Sequence, residues 1–404
     1  MAIAVATAEA AAAVLRPRGG LALPEPVASA SYFSAADVLR ARRFRRGQRL
    51  LGATSSAVQL GILGALARRP PAVLQRPLRH PVAASAGAGA ALAAGTAAMT
   101  LPLDVLARRR ALDVGLATGS WRTWAGDQAK AGAVGAAVSA AAGAGAVALR
   151  RRAGEAWWAP AAGLAAGAST ILAVAAPLVL EPLFMKFDAL EEGPLRRDVL
   201  ELAQRSDVTV GDVLVGRASE KTTGANAYVS GLGRTRRVVL FDTLRDRFSA
   251  DEVRLVVAHE LSHVRHRDVL RSIGLLTLTA APATHAVAQA VRGTDPGPAS
   301  LPALALAGAA ASAALAPAAA RLSRAVEVRA DTEALRLAGG GPAFAAFHRR
   351  IALQNVVEPQ PPRLLHALLA THPTTLERIA LAERFAAGDG APAAPGRPAQ
   401  PAGG

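Results

Sequence analysis

The residues that could do chemistry stand together in His259-Glu260-Leu261-Ser262-His263. Two histidines four residues apart lie on one face of an α-helix, so both imidazoles reach one metal ion while the glutamate between them faces the water that ion would activate. The flanking sequence favours such a helix. Ser249-Ala250-Asp251-Glu252 is a capping-box pattern, and Val253, Val256, Val257, Leu261 and Val264 follow it as an apolar stripe. A catalytic zinc takes three protein ligands and keeps one position for water, so a third ligand is needed. The chain has no cysteine, which leaves only His, Asp or Glu for that role and excludes disulfide frameworks, thiolate zinc sites and cysteine nucleophiles. The best candidate is Glu327 in Ser323-Arg324-Ala325-Val326-Glu327-Val328-Arg329-Ala330-Asp331, a predicted helix. Asp331 is one turn further on the same face, placed to accept a hydrogen bond from a ligand histidine and fix its tautomer. His266 competes as a ligand, although its neighbours Arg265, Arg267 and Asp268 read as a solvated or membrane-proximal helix end. The inert alternatives are two surface histidines and an ordinary acidic pair on a solvated face.

The elements that must position these residues are dominated by apolar sequence. Of 404 residues, 51% are hydrophobic and 19% charged, which excludes disorder throughout, and a mean hydropathy of +0.26 is high for a soluble globule. Six uncharged apolar stretches, 51–67, 81–103, 131–149, 156–180, 272–291 and 299–320, approach or exceed the length needed to cross a bilayer. They are rich in Ala and Gly, small side chains that let helices approach closely. The formal charge of +16 comes from 43 arginines and three lysines, most of them beside apolar runs, and aromatics are 4%. A nucleic-acid surface would interleave the two on a soluble face, so the charge reads as topological and no nucleic-acid partner is expected. The arginine distribution puts the amino terminus, and the hydrophilic blocks around the last two spans, in the cytoplasm.

The expected organisation is a mainly α, multi-pass membrane protein of about six spans with a zincin-like α+β protease domain and a small β-hairpin sheet. Residues 1–36 form an amino-terminal segment read as disordered, and 37–184 a membrane domain of four spans. Residues 185–271 hold the first half of the protease domain with the zinc helix, 272–320 a transmembrane hairpin, 321–387 the second half, and 388–404 a disordered Pro/Gly/Ala tail. His285, inside the fifth span, reads equally as lining a cavity above the zinc or as an interhelical hydrogen-bond partner.

The chain resembles the integral-membrane zinc metalloendopeptidases typified by the CAAX prenyl protease of the Ste type, with the HtpX proteases as more distant relatives. The resemblance covers roughly 31–385 and is carried by several segments in order. These are Pro182-Leu183-Phe184-Met185-Lys186-Phe187; Asn226-Ala227-Tyr228-Val229-Ser230-Gly231-Leu232-Gly233 with Arg237-Val238-Val239-Leu240-Phe241-Asp242-Thr243-Leu244; the zinc helix; the Glu327 segment; and Thr371-His372-Pro373 with Glu377-Arg378. It implies His259, His263 and Glu327 as ligands of one Zn2+ per chain and Glu260 as general base. Asn226 and His372 would bind the substrate backbone or the oxyanion. Asn226 is expected on a strand whose open edge could pair with an extended substrate. The implied partners are a peptide or membrane-protein substrate and the lipid bilayer. Two departures are visible: the span that usually opens the prenyl protease is missing, and Met185 stands where the family commonly has Asn. A quality-control protease of the HtpX kind and an inactive membrane scaffold of the same fold are the alternatives.

Overall fold

The computed structural model describes residues 1–389 other than 77, 78 and 232. Nearly all of the expected tail at 388–404 therefore lies outside the described residues. Seven helices come first: α1 (Ala2–Leu15), α2 (Ala35–Arg68), α3 (Ala72–Gln75), α4 (Pro81–Asp113), α5 (Trp121–Ala153), α6 (Trp158–Val179) and α7 (Glu181–Phe184). The hydrophilic block that follows holds β1 (Phe187–Ala189), α8 (Pro194–Arg205), β2 (Asp212–Gly216), β3 (Ala227–Ser230), β4 (Arg237–Phe241), α9 (Asp242–Arg247) and α10 (Ala250–Arg265). It is completed by α11 (Asp268–Ala290), α12 (Leu301–Ala338), α13 (Gly341–Gln354), α14 (Arg363–Leu369) and α15 (Thr375–Arg384).

Alanine has the highest helix propensity, so the Ala-rich apolar stretches fold as long helices with starts marked by Ser34 and Ser120 caps and by Pro81 at a first turn. All six expected stretches fall in helices, namely α2, α4, α5, α6, α11 and α12. Four helical stretches among the described residues are long and apolar enough to cross a membrane: Ala35–Arg68, Pro81–Asp113, Trp121–Leu172 and Pro298–Ala338. The third holds two helices, α5 and α6. Gly154, at φ +53 in the 3-10 turn Gly154–Trp157, breaks it, and Lys130 near the start of α5 donates to the Leu183 carbonyl beyond α6 at 2.8 Å. The chain therefore turns back within that stretch. Thr277, Thr279, Thr284, His285 and Gln289 keep α11 less apolar, yet it runs beside α6 and α12.

One end of this bundle is closed by Arg150, which donates to Ser300 Oγ at 2.7 Å and to the Thr294 carbonyl at 2.6 Å. The other end carries the protease domain. There the sheet runs in the order β1-β2-β4-β3, with β2 and β4 parallel and both outer strands antiparallel, so β3 is an edge. One face of the sheet packs on α8 and α10 through Val199, Leu202, Val238, Leu240, Val253, Val257 and Leu261, all nearly or completely buried. The opposite side of α10, at Leu255 and Ala258, packs on α12, α13 and α15. Fully burying a leucine contributes roughly 1.5–3 kcal/mol, so α10 is fixed from both sides before any metal is considered.

Two expectations need correction. Residues 1–36, read as disordered, are ordered: Ala8, Ala11 and Ala12 of α1 are buried against Leu275 of α11 and Ala318, Leu322 and Val326 of α12. A stripe of methyl groups packs closely on neighbouring helices, and Glu9, the one charge in α1, pairs with Arg321. The chain then continues along the outer side of α12, where Leu21 N donates to Thr332 Oγ1 at 3.1 Å. The second correction concerns the boundary drawn at 320/321. α12 runs unbroken through it, so one helix is both the end of the membrane hairpin and the carrier of Glu327.

Candidate active site

The site lies where α10, α12, the α10–α11 turn and the loop before α15 meet. The capping box forms, with Ser249 accepting from Glu252 N and Glu252 accepting from Ser249 N, and it sets the start of the helix. Ten residues after Ser249 that helix presents His259, and one turn later His263. Their Nε2 atoms are 3.1 Å apart. Glu327 Oε2 lies 3.3 Å from His259 Nε2, and Oε1 lies 3.5 Å from His263 Nε2. All three residues offer a ligand atom within 4.8 Å of the others. A tetrahedral ion with bonds of about 2.0–2.1 Å spaces its ligands by about 3.3 Å, so the donor set fits zinc. His266 does not join the cluster; its Nε2 is 3.8 Å from Glu333.

Each histidine uses its other nitrogen on a carboxylate. Asp331 Oδ1 lies 2.9 Å from His259 Nδ1. Asp268 Oδ2 is hydrogen-bonded to His263 Nδ1 at 2.9 Å. With both Nδ1 atoms engaged, both Nε2 atoms are left to face the same point. Burial works against a charge on His259, yet Asp331 and Glu327 outweigh it and hold its pKa at about 10. Burial likewise works against ionised Glu327, and His259 and Arg378 outweigh it, holding the carboxyl well below its usual range. The pocket is thus electrostatically prepared for a cation.

Arginines balance the acids. Arg378 reaches Glu327 Oε2 at 2.8 Å and Asp331 Oδ2 at 3.1 Å, while Arg329 and Arg271 both pair with Asp268. Glu260, between the two histidines, is partly buried, and that burial raises its pKa. A carboxylate shifted in this direction is a stronger base, suited to taking a proton near neutral pH. His372 stands at the mouth with its side chain 57% exposed and its Nε2 3.3 Å from Glu327 Oε2. Thr371 Oγ1, 2.8 Å from His372 Nδ1, and His366, whose Nε2 meets the His372 carbonyl at 3.0 Å, orient the loop. Asn226 is exposed just before edge strand β3, which packs beside α10. His285 is elsewhere: it meets Trp158 edge-on at 5.1 Å. It stands 17 residues beyond Asp268, or about 25 Å along the helix.

Asp268 is the residue sequence reasoning missed. It reads as a solvated helix end because it follows two arginines. In the structure Arg267 adopts the left-handed conformation (φ 54), which reverses the chain and swings Asp268 back under His263. A glycine there would have signalled the turn; an arginine does not. Asp268→Asn is expected to weaken zinc binding by about 10–100-fold, measured by competition with a chelator, and to lower the melting temperature, because buried Arg329 loses its charged partner.

The fold and this site define a membrane metallopeptidase. Residues 189–386 match the model of peptidase family M48. An uncharacterized metalloprotease of Bacillus subtilis, YhfN, is 27% identical over 301 residues, covering 72% of this chain and 71% of that protein. CAAX prenyl protease 1 of Saccharomyces cerevisiae is 36% identical over 98 residues, 24% of this chain and 22% of that protein. The crystal structure of S. mikatae Ste24p superposes with a TM-score of 0.75 at 18% identity, covering 95% of this chain and 96% of that one, a likeness of fold.

Proposed function

We propose that the chain is a zinc-dependent endopeptidase of the membrane interface. It would hydrolyse peptide bonds in peptides or membrane proteins, with His259, His263 and Glu327 holding one Zn2+. The observation that carries this reading is the convergence of two Nε2 atoms and one carboxylate beside Glu260. When bound, zinc lowers the pKa of a water towards 7 and polarises the scissile carbonyl. Glu260 takes the proton of the attacking water and delivers it to the amine as the carbon–nitrogen bond breaks. His372, at the mouth, donates to the carbonyl oxygen as negative charge develops there, and Asn226 supplies a second donor or holds the substrate backbone. The open edge of β3 takes an extended substrate as an added strand. This face would lie in the cytoplasm, a reading supported by the arginines that flank the spans.

The names of the yeast relative and its homologues raise prenylated carboxyl termini as one substrate class. The Ala- and Gly-rich spans supply few large side chains to grip an isoprenoid, so plain peptides are expected to be cleaved as readily as farnesylated ones. Side-by-side rates with the two peptides test that expectation. His372→Ala is expected to lower kcat by roughly 10²–10³-fold without loss of zinc. For the zinc reading itself, a chelator should abolish cleavage and added zinc restore it; full activity in the chelated, zinc-free protein would refute it.

A further inference from the structure

We propose that Asn355, just past the end of α13, is a positioning residue that sets the backbone of the substrate strand for Asn226, and that Arg45 of α2 holds Asn355 in place. The proposal rests on the role given to Asn226 above. The Asn355 side chain acts as a one-residue strand: its Oδ1 accepts from Ala225 N at 2.9 Å and its Nδ2 donates to the Ala225 carbonyl at 3.1 Å. Ala225 is the buried residue directly before Asn226. On the other side of Asn226, its own carbonyl accepts from Phe241 N at 3.0 Å. Successive residues of a strand point to opposite faces, so fixing Ala225 and Ala227 in the core fixes the outward direction of Asn226. The approach to Ala225 is held too. Gln354 Nε2 donates to the Thr223 carbonyl at 2.5 Å, and Thr243 Oγ1 donates to the Gly224 carbonyl at 2.7 Å.

Asn355 reaches this position through an unusual backbone. Val356, a β-branched residue, takes φ +47, which side chains of that shape rarely adopt. The turn aims the carbonyls of both 355 and 356 at Arg45, whose Nη2 and Nε donate to them at 2.7 and 2.8 Å. A planar guanidinium fork meets the two acceptors with donors held in fixed geometry, which a lysine ammonium on its flexible stem does not offer. One turn along α2, Arg49 meets Glu358 at 2.7 Å and anchors the same segment. A basic stretch read from the sequence as a membrane flank therefore connects a spanning helix to the strand that would receive substrate.

The test is a double-mutant cycle on the full-length protein in detergent, with kcat, KM, zinc content and melting temperature measured for Asn226→Ala, Asn355→Ala and the double variant. Asn355→Ala is expected to lower kcat by about 10- to 100-fold, as small misplacements do, with KM within about twofold and zinc content and melting temperature unchanged. Because Asn355 acts through Asn226, the double variant should be no slower than Asn226→Ala alone. Should Asn355→Ala not fold, Asn355→Asp, which keeps the acceptor for Ala225 N and loses the donor, takes its place in the cycle with the same non-additive outcome expected. Arg45→Lys should reproduce part of the kcat loss. Additive losses in the double variant, or wild-type kcat in Asn355→Ala, would overturn the inference while leaving the role of Asn226 intact. A fully active Asn226→Ala protein would overturn both.

Discussion

The Glu327→Ala protein should purify with little zinc and cleave no peptide above background. Glu327 stands 3.3 and 3.5 Å from the two histidine Nε2 atoms, so its loss leaves two ligands where a catalytic zinc needs three. Losing even a residue that merely orients a ligand costs about 10–100-fold in metal affinity, and losing the ligand itself should exceed that. The fold should survive. Arg378, which pairs with Glu327, keeps Asp331 at 3.1 Å, and the surrounding core of Leu335, Leu376 and Ile379 is untouched. Metal analysis together with a melting curve checks both parts of the expectation.

Glu260→Gln separates binding from chemistry. Glu260 contributes no atom to the metal cluster, so zinc content should match the wild type, while kcat should fall by about 10²–10⁴-fold, the usual contribution of a positioned base. Glutamine preserves the shape and cannot accept the proton. A parallel fall in zinc would instead make Glu260 a structural residue.

These two expectations use the part of the molecule most legible from sequence. A period of four residues places His259 with His263, and the same period places Glu327 with Asp331, because a helix turn is a local rule that needs no knowledge of the rest of the chain. The meeting of α10 with α12 is less local. It depends on burying Leu255 and Ala258 against Leu335 and Phe344, and here the resemblance to a known family supplied what periodicity could not. Where the reading failed, the backbone did something its residues do not advertise. Arg267 and Val356 take left-handed conformations without glycine, and the residues they redirect, Asp268 and Asn355, are those whose contacts went unforeseen. The failure at α1 was of another kind. An apolar segment of 14 residues is too short to cross a bilayer, and only the tertiary structure reveals that its alanine stripe has a groove to fill.

The central claim is that this cluster hydrolyses peptide bonds. The most direct measurement is mass spectrometry of new peptide termini in membranes containing either the wild-type chain or its Glu260→Gln variant at equal abundance. A set of termini should be present with the wild type and absent with the variant. Identical sets of termini from the two membranes would contradict it.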